Sequence, residues 1–265
     1  MDELPWAKKS LGQHWLTNES ALQAICDGGQ VTDDDVLLEI GPGTGTLTAL
    51  LVKKAKQVIA VEFDAKLADE LPGRVPADNL EVIRQDILSL DFTSLPADYK
   101  VIANIPYYLT SNLIRILSET PNQASRVVLL IQKEVAERVA AKPGDMSLLS
   151  VSAQYYWEVL LGLEVPARMF TPPPKVDSQV LILERRAQPL FTGVDERSFF
   201  RLVKAGFAAR RKTLLNSLSG GLRADKAVIQ TILDETYIPH TIRPQNLSLE
   251  QWHMLYMAAR TQSLV

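Results

Sequence analysis

The stretch Asn104-Ile105-Pro106-Tyr107 sets an amide, a rigid turn and an aromatic face side by side, directly after the apolar run Tyr99 to Ala103. Groups of these kinds grip a flat nucleobase. The Asn104 side-chain oxygen and the Ile105 backbone carbonyl can both accept hydrogen bonds from an exocyclic amine, Pro106 fixes the backbone and removes a competing donor, and Tyr107 offers a stacking surface. The chemistry implied is alkylation of a base nitrogen. Alone, the tetrapeptide more often marks a strand-ending turn with a packed aromatic, so its context decides.

That context begins with Glu39-Ile40-Gly41-Pro42-Gly43-Thr44-Gly45, which follows an apolar run and opens a helix, where backbone can come close to a ligand. A dinucleotide fingerprint, Gly-X-Gly-X-X-Gly, needs a glycine where this chain has Thr46. Glycines at 41, 43 and 45, with an acidic residue two before the first, suit S-adenosylmethionine better. The methionine part and sulfonium of that cofactor carry no phosphate, so Glu39 is tolerated there and can orient the ammonium directly or through a water. A turn that simply uses glycine is the plain alternative.

Glu62 ends the next strand-like run, about 20 residues after the loop, where a carboxylate can accept both ribose hydroxyls. Asp86 ends the third and can accept from the cofactor's adenine amine or cap a helix. Asn104 ends the fourth. Polar residues at successive strand carboxyl ends line one edge of a sheet, which is where open α/β sheets bind ligands.

Those strands are read from apolar runs at Val36–Ile40, Gln57–Val61, Leu80–Ile83, Val101–Ala103 and Val127–Ile131. Helical spacing falls between them: a helix capped by Thr17 or Asn18 and running to about Gly28, then Leu47–Lys54, Ala65–Leu71 and Leu113–Leu117. Repeated β-α units predict an α/β fold with a doubly wound parallel sheet. A helix over Met146–Tyr156 follows, then strands at Val159–Val165 and Gln179–Leu183, an antiparallel hairpin at the sheet edge, with Thr171-Pro172-Pro173-Pro174 between them. Beyond Pro189 apolar residues recur only at helical spacing (Phe199, Leu202, Val203, Phe207; Val228, Ile232, Leu233). The division expected is a catalytic domain over 1–187 and a small all-helical domain over 188–265.

A net charge of −3 and a pI near 5.7 argue mildly against a nucleic-acid partner, but local clusters at Lys8-Lys9, Arg185-Arg186 and Arg210-Arg211-Lys212 steer binding more than the sum does. Among three scattered histidines and one cysteine no metal-ligand spacing is found, so no metal is expected. Cys26 falls on the apolar face of the first helix and reads as core. No apolar run approaches the roughly 20 residues of a membrane span, and the acidic start Met1-Asp2-Glu3-Leu4-Pro5 lacks a secretion signal's pattern, so a cytoplasmic protein is expected, monomeric for want of a long amphipathic seam.

Leu11-Gly12-Gln13-His14-Trp15-Leu16, Glu39-Ile40-Gly41-Pro42-Gly43, Asn104-Ile105-Pro106-Tyr107, Gln132-Lys133-Glu134-Val135, Phe170-Thr171-Pro172-Pro173-Pro174-Lys175-Val176-Asp177-Ser178 and Arg210-Arg211-Lys212-Thr213-Leu214 together resemble the ribosomal RNA adenine dimethyltransferase family, in its small-subunit form. The chain departs from the family pattern at His14, often Asn, and Trp15, usually Phe. The resemblance implies a Rossmann-like class I S-adenosylmethionine-dependent methyltransferase sheet with a helical rRNA-binding domain behind it. It implies dimethylation of N6 on two adjacent adenosines in a hairpin loop near the 3′ end of 16S rRNA, within the assembling 30S subunit. It places the cofactor against His14, Leu16, Gly41, Glu62, Asp86 and Asn104, the target base against Asn104, Ile105, Pro106 and Tyr107, with Phe170 a candidate for its other face or an apolar anchor for its loop, and RNA phosphates against Lys8, Lys9, Arg210, Arg211 and Lys212. Two other readings remain open: a large-subunit adenine methyltransferase of the antibiotic-resistance type, and an assembly factor without catalytic activity.

Overall fold

In the computed structural model, which describes residues 7, 8, 11–209 and 211–265, the expected alternation of strands and helices is present. The first half runs β1 (Trp15–Leu16), α1 (Glu19–Gly28), β2 (Val36–Ile40), α2 (Thr48–Leu51), β3 (Gln57–Glu62), α3 (Ala65–Arg74), β4 (Leu80–Arg84), β5 (Lys100–Asn104) and α4 (Thr110–Glu119). It continues with β6 (Arg126–Gln132), α5 (Lys133–Val139), α6 (Leu148–Tyr156), β7 (Trp157–Val165), β8 (Phe170–Thr171) and β9 (Ser178–Arg185), and closes with α7 (Glu196–Phe207), α8 (Leu214–Leu222), α9 (Lys226–Glu235) and α10 (Leu249–Thr261).

Seven strands form one sheet in the order β4-β3-β2-β5-β6-β9-β7. The first five are parallel, and the apolar runs of the inner strands β2, β3, β5 and β6 are buried on both faces, as in Val127–Ile131, while the edge strand β4 is only partly covered. After β2 the chain steps outward through β3 to β4, then returns to lay β5 on the other side of β2. The carboxyl ends of β2 and β5 therefore diverge into a crevice where the strand order reverses. Helices begin crisply where polar caps exist: Asn18 Oδ1 accepts from Ala21 N at 3.0 Å, and Asp64 Oδ1 from Lys66 N at 3.1 Å. Each such cap is worth about 1 kcal/mol.

One expectation holds and one is corrected in detail. β7 and β9 pair antiparallel at the sheet edge, as expected, and β9 lies between β6 and β7, because Val180, Leu181 and Leu183 can be covered on both sides. β7, which exposes Leu160, Leu161 and Leu163, takes the edge. The helix expected over Leu47–Lys54 is regular only over Thr48–Leu51. Cys26 is buried as expected, and burial pushes its thiol up to about 11, which keeps it an unreactive core residue.

The chain divides into two compact units. One holds the residues up to Glu137 together with Trp157–Arg185 and contains the whole sheet. The other joins Arg138–Tyr156 to Arg186–Val265, so the single cut expected at 187/188 misses the excursion that carries α6. The reason is aromatic packing: the Tyr155 ring lies 5.1 Å from that of Phe199 and 5.2 Å from that of Phe200, within a helical core that includes Trp252 and Tyr256.

Candidate active site

The cleft at the carboxyl ends of β2, β3 and β5 is lined by Glu39, Glu62 and Asp86 and, among the described residues, by no lysine or arginine. Gly41 and Gly43 sit at φ +64° and +58°, the left-handed region, which lets the turn after β2 fold close to the strand ends. Gly41 N donates to Val61 O at 2.9 Å, and Gly43 N donates to Glu62 Oε2 at 3.1 Å. Trp15 stands over the turn: a Cβ at position 43 would lie 2.8 Å from Trp15 Cζ3.

Glu62 is nearly fully buried, and its other oxygen, Oε1, accepts from Asp64 N at 2.8 Å. Burial raises its carboxyl above the usual carboxylate range, while the Asp64 and Gly43 N–H groups pull the other way. Glu39 is 1% exposed, its Oε2 has no hydrogen-bond partner among the described residues, and burial, with the Glu62 carboxyl adding to it, pushes it up to about 8. Two buried carboxyl groups without a counter-cation make a poor seat for a pyrophosphate and a good one for a ligand that carries positive charge and no phosphate. That donor set fits S-adenosylmethionine. Asp86 Oδ1 caps the turn Ile87–Ser89 by accepting from Leu88 N at 3.0 Å, and the residue also lines the cleft.

Asn104 also lines the cleft, and among the described residues its side-chain amide has no hydrogen-bond partner. Ile105 is buried, and Pro106 O accepts from Leu109 N at 3.0 Å, closing the turn that leads into α4. The Tyr107 ring is stacked against His14, centroids 6.1 Å apart and planes at 22°. Its hydroxyl shares a 2.8 Å hydrogen bond with Ser178 Oγ, and burial raises its pKa above that of an ordinary tyrosine.

His14 Nδ1 lies 2.7 Å from Pro172 O. A carbonyl only accepts, so Nδ1 holds the hydrogen and Nε2 of the neutral ring is left as an acceptor. Leu16 is buried, and its carbonyl accepts from Thr46 Oγ1 at 3.0 Å, tying the N-terminal loop to the glycine turn. The short antiparallel pairing of β1 with β8, Trp15 with Thr171 and Leu16 with Phe170, completes that wall.

The site thus brings together His14, Leu16, Gly41, Glu62, Asp86, Asn104, Ile105, Pro106, Tyr107 and Phe170. For Phe170 two roles are open, the other face of a base and an apolar anchor for its loop, and its packing favours the anchor. It touches the cleft, but it is 3% exposed and packed among Leu16, Val165 and Val180, so its ring anchors the loop. Lys8 forms a 2.6 Å ion pair with Asp64, which occupies the charge assigned to RNA. Lys9 and Arg210 lie outside the described residues, while Arg211 and Lys212 are exposed in the helical unit, just before α8. Sequence reasoning missed Phe63 and Tyr108, both exposed aromatics lining the cleft. The available signal was Phe63 itself, a large apolar residue between two carboxylates at a strand end.

Known proteins match this one over nearly the whole chain. A protein from Dehalococcoides mccartyi called ribosomal RNA small subunit methyltransferase A is 40% identical over 253 residues, covering 94% of this chain and 87% of its own. One of the same name from Bacillus cytotoxicus is 40% identical over 261 residues, covering 94% and 89%. Among solved structures, a dimethyladenosine transferase from Plasmodium falciparum superposes with a TM-score of 0.83 at 27% identity, over 94% of this chain and 98% of that one. The 23S rRNA methyltransferase ErmE superposes at 0.75, also at 27% identity, over 92% and 98%. The fold is that of the class I S-adenosylmethionine-dependent methyltransferases. With residues 6–257 matching the family model for ribosomal RNA adenine dimethylases, the chain belongs to that family.

Proposed function

We propose that this chain dimethylates adenosine N6 in 16S rRNA with S-adenosylmethionine as methyl donor, acting on two adjacent adenosines in a hairpin loop near the 3′ end, within the assembling small subunit. The observation that carries this reading is the Asn104 amide, which among the described residues has no partner and stands in a cleft lined by carboxyl groups and by no lysine or arginine. The relatives at 40% identity are named for the small subunit, which favours that substrate over the large-subunit RNA of ErmE.

Glu62 would take the ribose hydroxyls, since each carboxylate oxygen keeps a second lone pair beyond its backbone bond. Asp86 would take the adenine amine, and Glu39 and the glycine turn the amino-acid end. When bound, the cofactor supplies an electrophilic methyl group on a sulfonium. The remaining work belongs to the chain. Adenine N6 is a weak nucleophile because its lone pair is delocalised into the ring. Asn104 Oδ1 and the Ile105 carbonyl, accepting from the N6 hydrogens, draw the nitrogen toward tetrahedral geometry and stabilise the positive charge that develops there. Tyr107, braced by Ser178 and His14, offers its ring to the flipped base, a contact of about 1–3 kcal/mol. Positioning contributes the larger share, up to roughly 7–11 kcal/mol.

The test is transfer from labelled S-adenosylmethionine to small subunits lacking these methyl groups, beside naked 16S rRNA and large subunits, followed by nucleoside analysis. N6,N6-dimethyladenosine in small-subunit RNA supports the proposal. Label in the large subunit gives the case to the resistance-type reaction. Cofactor binding with no transfer anywhere gives it to an assembly factor without activity.

A further inference from the structure

A cleft carrying carboxyl groups and, among the described residues, no lysine or arginine does not attract an RNA backbone, so phosphates flanking a target base are met outside it. The loop from β7 to β9, residues 166–177, with Ser178 at the start of β9, borders the base side. His14 holds it at Pro172 O and Tyr107 holds it at Ser178. It is also closed on itself, with Ala167 N donating to Asp177 Oδ1 at 2.8 Å and Lys133 N donating to Asp177 O at 3.0 Å.

Asp177 is the only acidic residue between 166 and 178, and that closure engages it. Arg168 and Lys175, within two residues of the two ends of the closure, are both exposed and have no ion-pair or hydrogen-bond partner among the described residues. Neighbouring cations of the same unit are engaged otherwise: Lys8 with Asp64 at 2.6 Å, Lys133 with Glu164 at 2.8 Å and Arg115 with Glu119 at 2.7 Å. Val176, 40% exposed beside Lys175, offers apolar contact where a sugar would lie.

We propose that Arg168 and Lys175 form a phosphodiester-binding pair on the rim of the base site, holding the RNA backbone on the two sides of the target adenosine. The pair rests on the function proposed above and names the contacts that deliver the base to Tyr107. It also divides the sheet unit electrically: carboxyl groups face the cofactor, and free cations on a pinned loop face the nucleic acid. The loop's three anchors hold both cations in place before RNA arrives, so less ordering is needed on binding.

The experiment uses the full chain, an RNA hairpin with two adjacent loop adenosines, and unmethylated small subunits. Arg168→Ala and Lys175→Ala should each weaken hairpin binding and make the slope of log K against log salt shallower by about 0.7, with about 1.4 for the pair together. Melting temperature and S-adenosylmethionine affinity should stay at wild-type values. Lys56→Ala serves as the control, an exposed lysine immediately before β3 and so at the amino edge of the sheet, away from the cleft; its salt slope should match wild type. If wild type binds and methylates but the double variant keeps the wild-type slope, the pair is not a phosphate site and the proposed function stands. If wild type methylates no small-subunit RNA, the proposed function and this pair fall together.

Discussion

Trp15 and Gly43 are fitted to each other: the indole occupies the space that any side chain at position 43 would enter, 2.8 Å from the ideal Cβ. Gly43 also has φ +58°, so Gly43→Ala combines backbone strain with a clash against a buried ring. We expect a loss of about 1–3 kcal/mol in stability and weaker cofactor binding. Trp15→Phe should recover part of the loss in the double variant, because it relieves the clash and leaves the strain. Strict additivity of the two effects in denaturant unfolding would show that the contact does not matter.

Glu62 bridges two elements through its two oxygens, to Gly43 N and to Asp64 N. Glu62→Ala leaves both N–H groups short of a partner in a buried place, at about 1–3 kcal/mol each when water cannot replace the bond. Cofactor affinity should fall at least tenfold, by loss of the ribose contacts and by release of the glycine turn. Glu62→Gln keeps one acceptor and should lie between the two in calorimetric titration. Equal affinity in Glu62→Ala and wild type would remove Glu62 from the cofactor site.

Glu39 gives a pH signature with a definite sign. Its folded value is pushed up to about 8 against 4.5 for an ordinary glutamate, so between those values the folded chain holds a proton that the unfolded chain has released. Stability from this group is complete below about 4.5 and is lost as pH rises to about 8. Glu39→Gln cannot ionise, so relative to wild type it should gain up to a few kcal/mol between about pH 5 and pH 8. A cation in the cleft favours the carboxylate, so S-adenosylmethionine binding near neutral pH should release protons, seen as a dependence of binding enthalpy on buffer ionisation. Parallel stability curves and no proton release would show that Glu39 is already ionised.

What could be read from the chain alone follows from where parallel strands end. Glu62, Asp86 and Asn104 each close an apolar run, and parallel strands in register bring such ends to one edge, so their convergence on one cleft was legible. The wall above it was not. β1 and β8 are two-residue strands some hundred and fifty positions apart in sequence, too short to show a period, and only their pairing places His14 and Phe170. Lys8 reads as a free cation until the fold puts Asp64 beside it. The helix α6 precedes two strands of the sheet, yet it packs with the C-terminal helices, because its partners Phe199 and Phe200 lie more than forty residues on.

Asn104→Ala separates chemistry from binding. Its amide has no hydrogen-bond partner among the described residues, so removing it should cost little stability and leave RNA affinity near wild type. Methyl transfer should fall by about 100- to 1000-fold, the range for deleting one preorganised group at a developing charge. Single-turnover transfer at saturating RNA reads this directly, and a rate within a few-fold of wild type would reject Asn104 as the acceptor of N6 hydrogens.

Tyr107 lets the ring be tested apart from the hydroxyl. The hydroxyl reaches Ser178 at 2.8 Å and faces away from any role as a base, since burial holds it protonated. Tyr107→Phe removes that one bond, at about 1 kcal/mol, and keeps the stacking face, so transfer should survive with a modest drop in melting temperature. Tyr107→Ala removes the face as well and should lose about 1–3 kcal/mol of target-base binding, expressed in the transfer rate at subsaturating RNA. If the two variants were equally impaired in transfer, the hydroxyl and its hold on the β8–β9 loop would be the functional element, and stacking by Tyr107 would have to be given up.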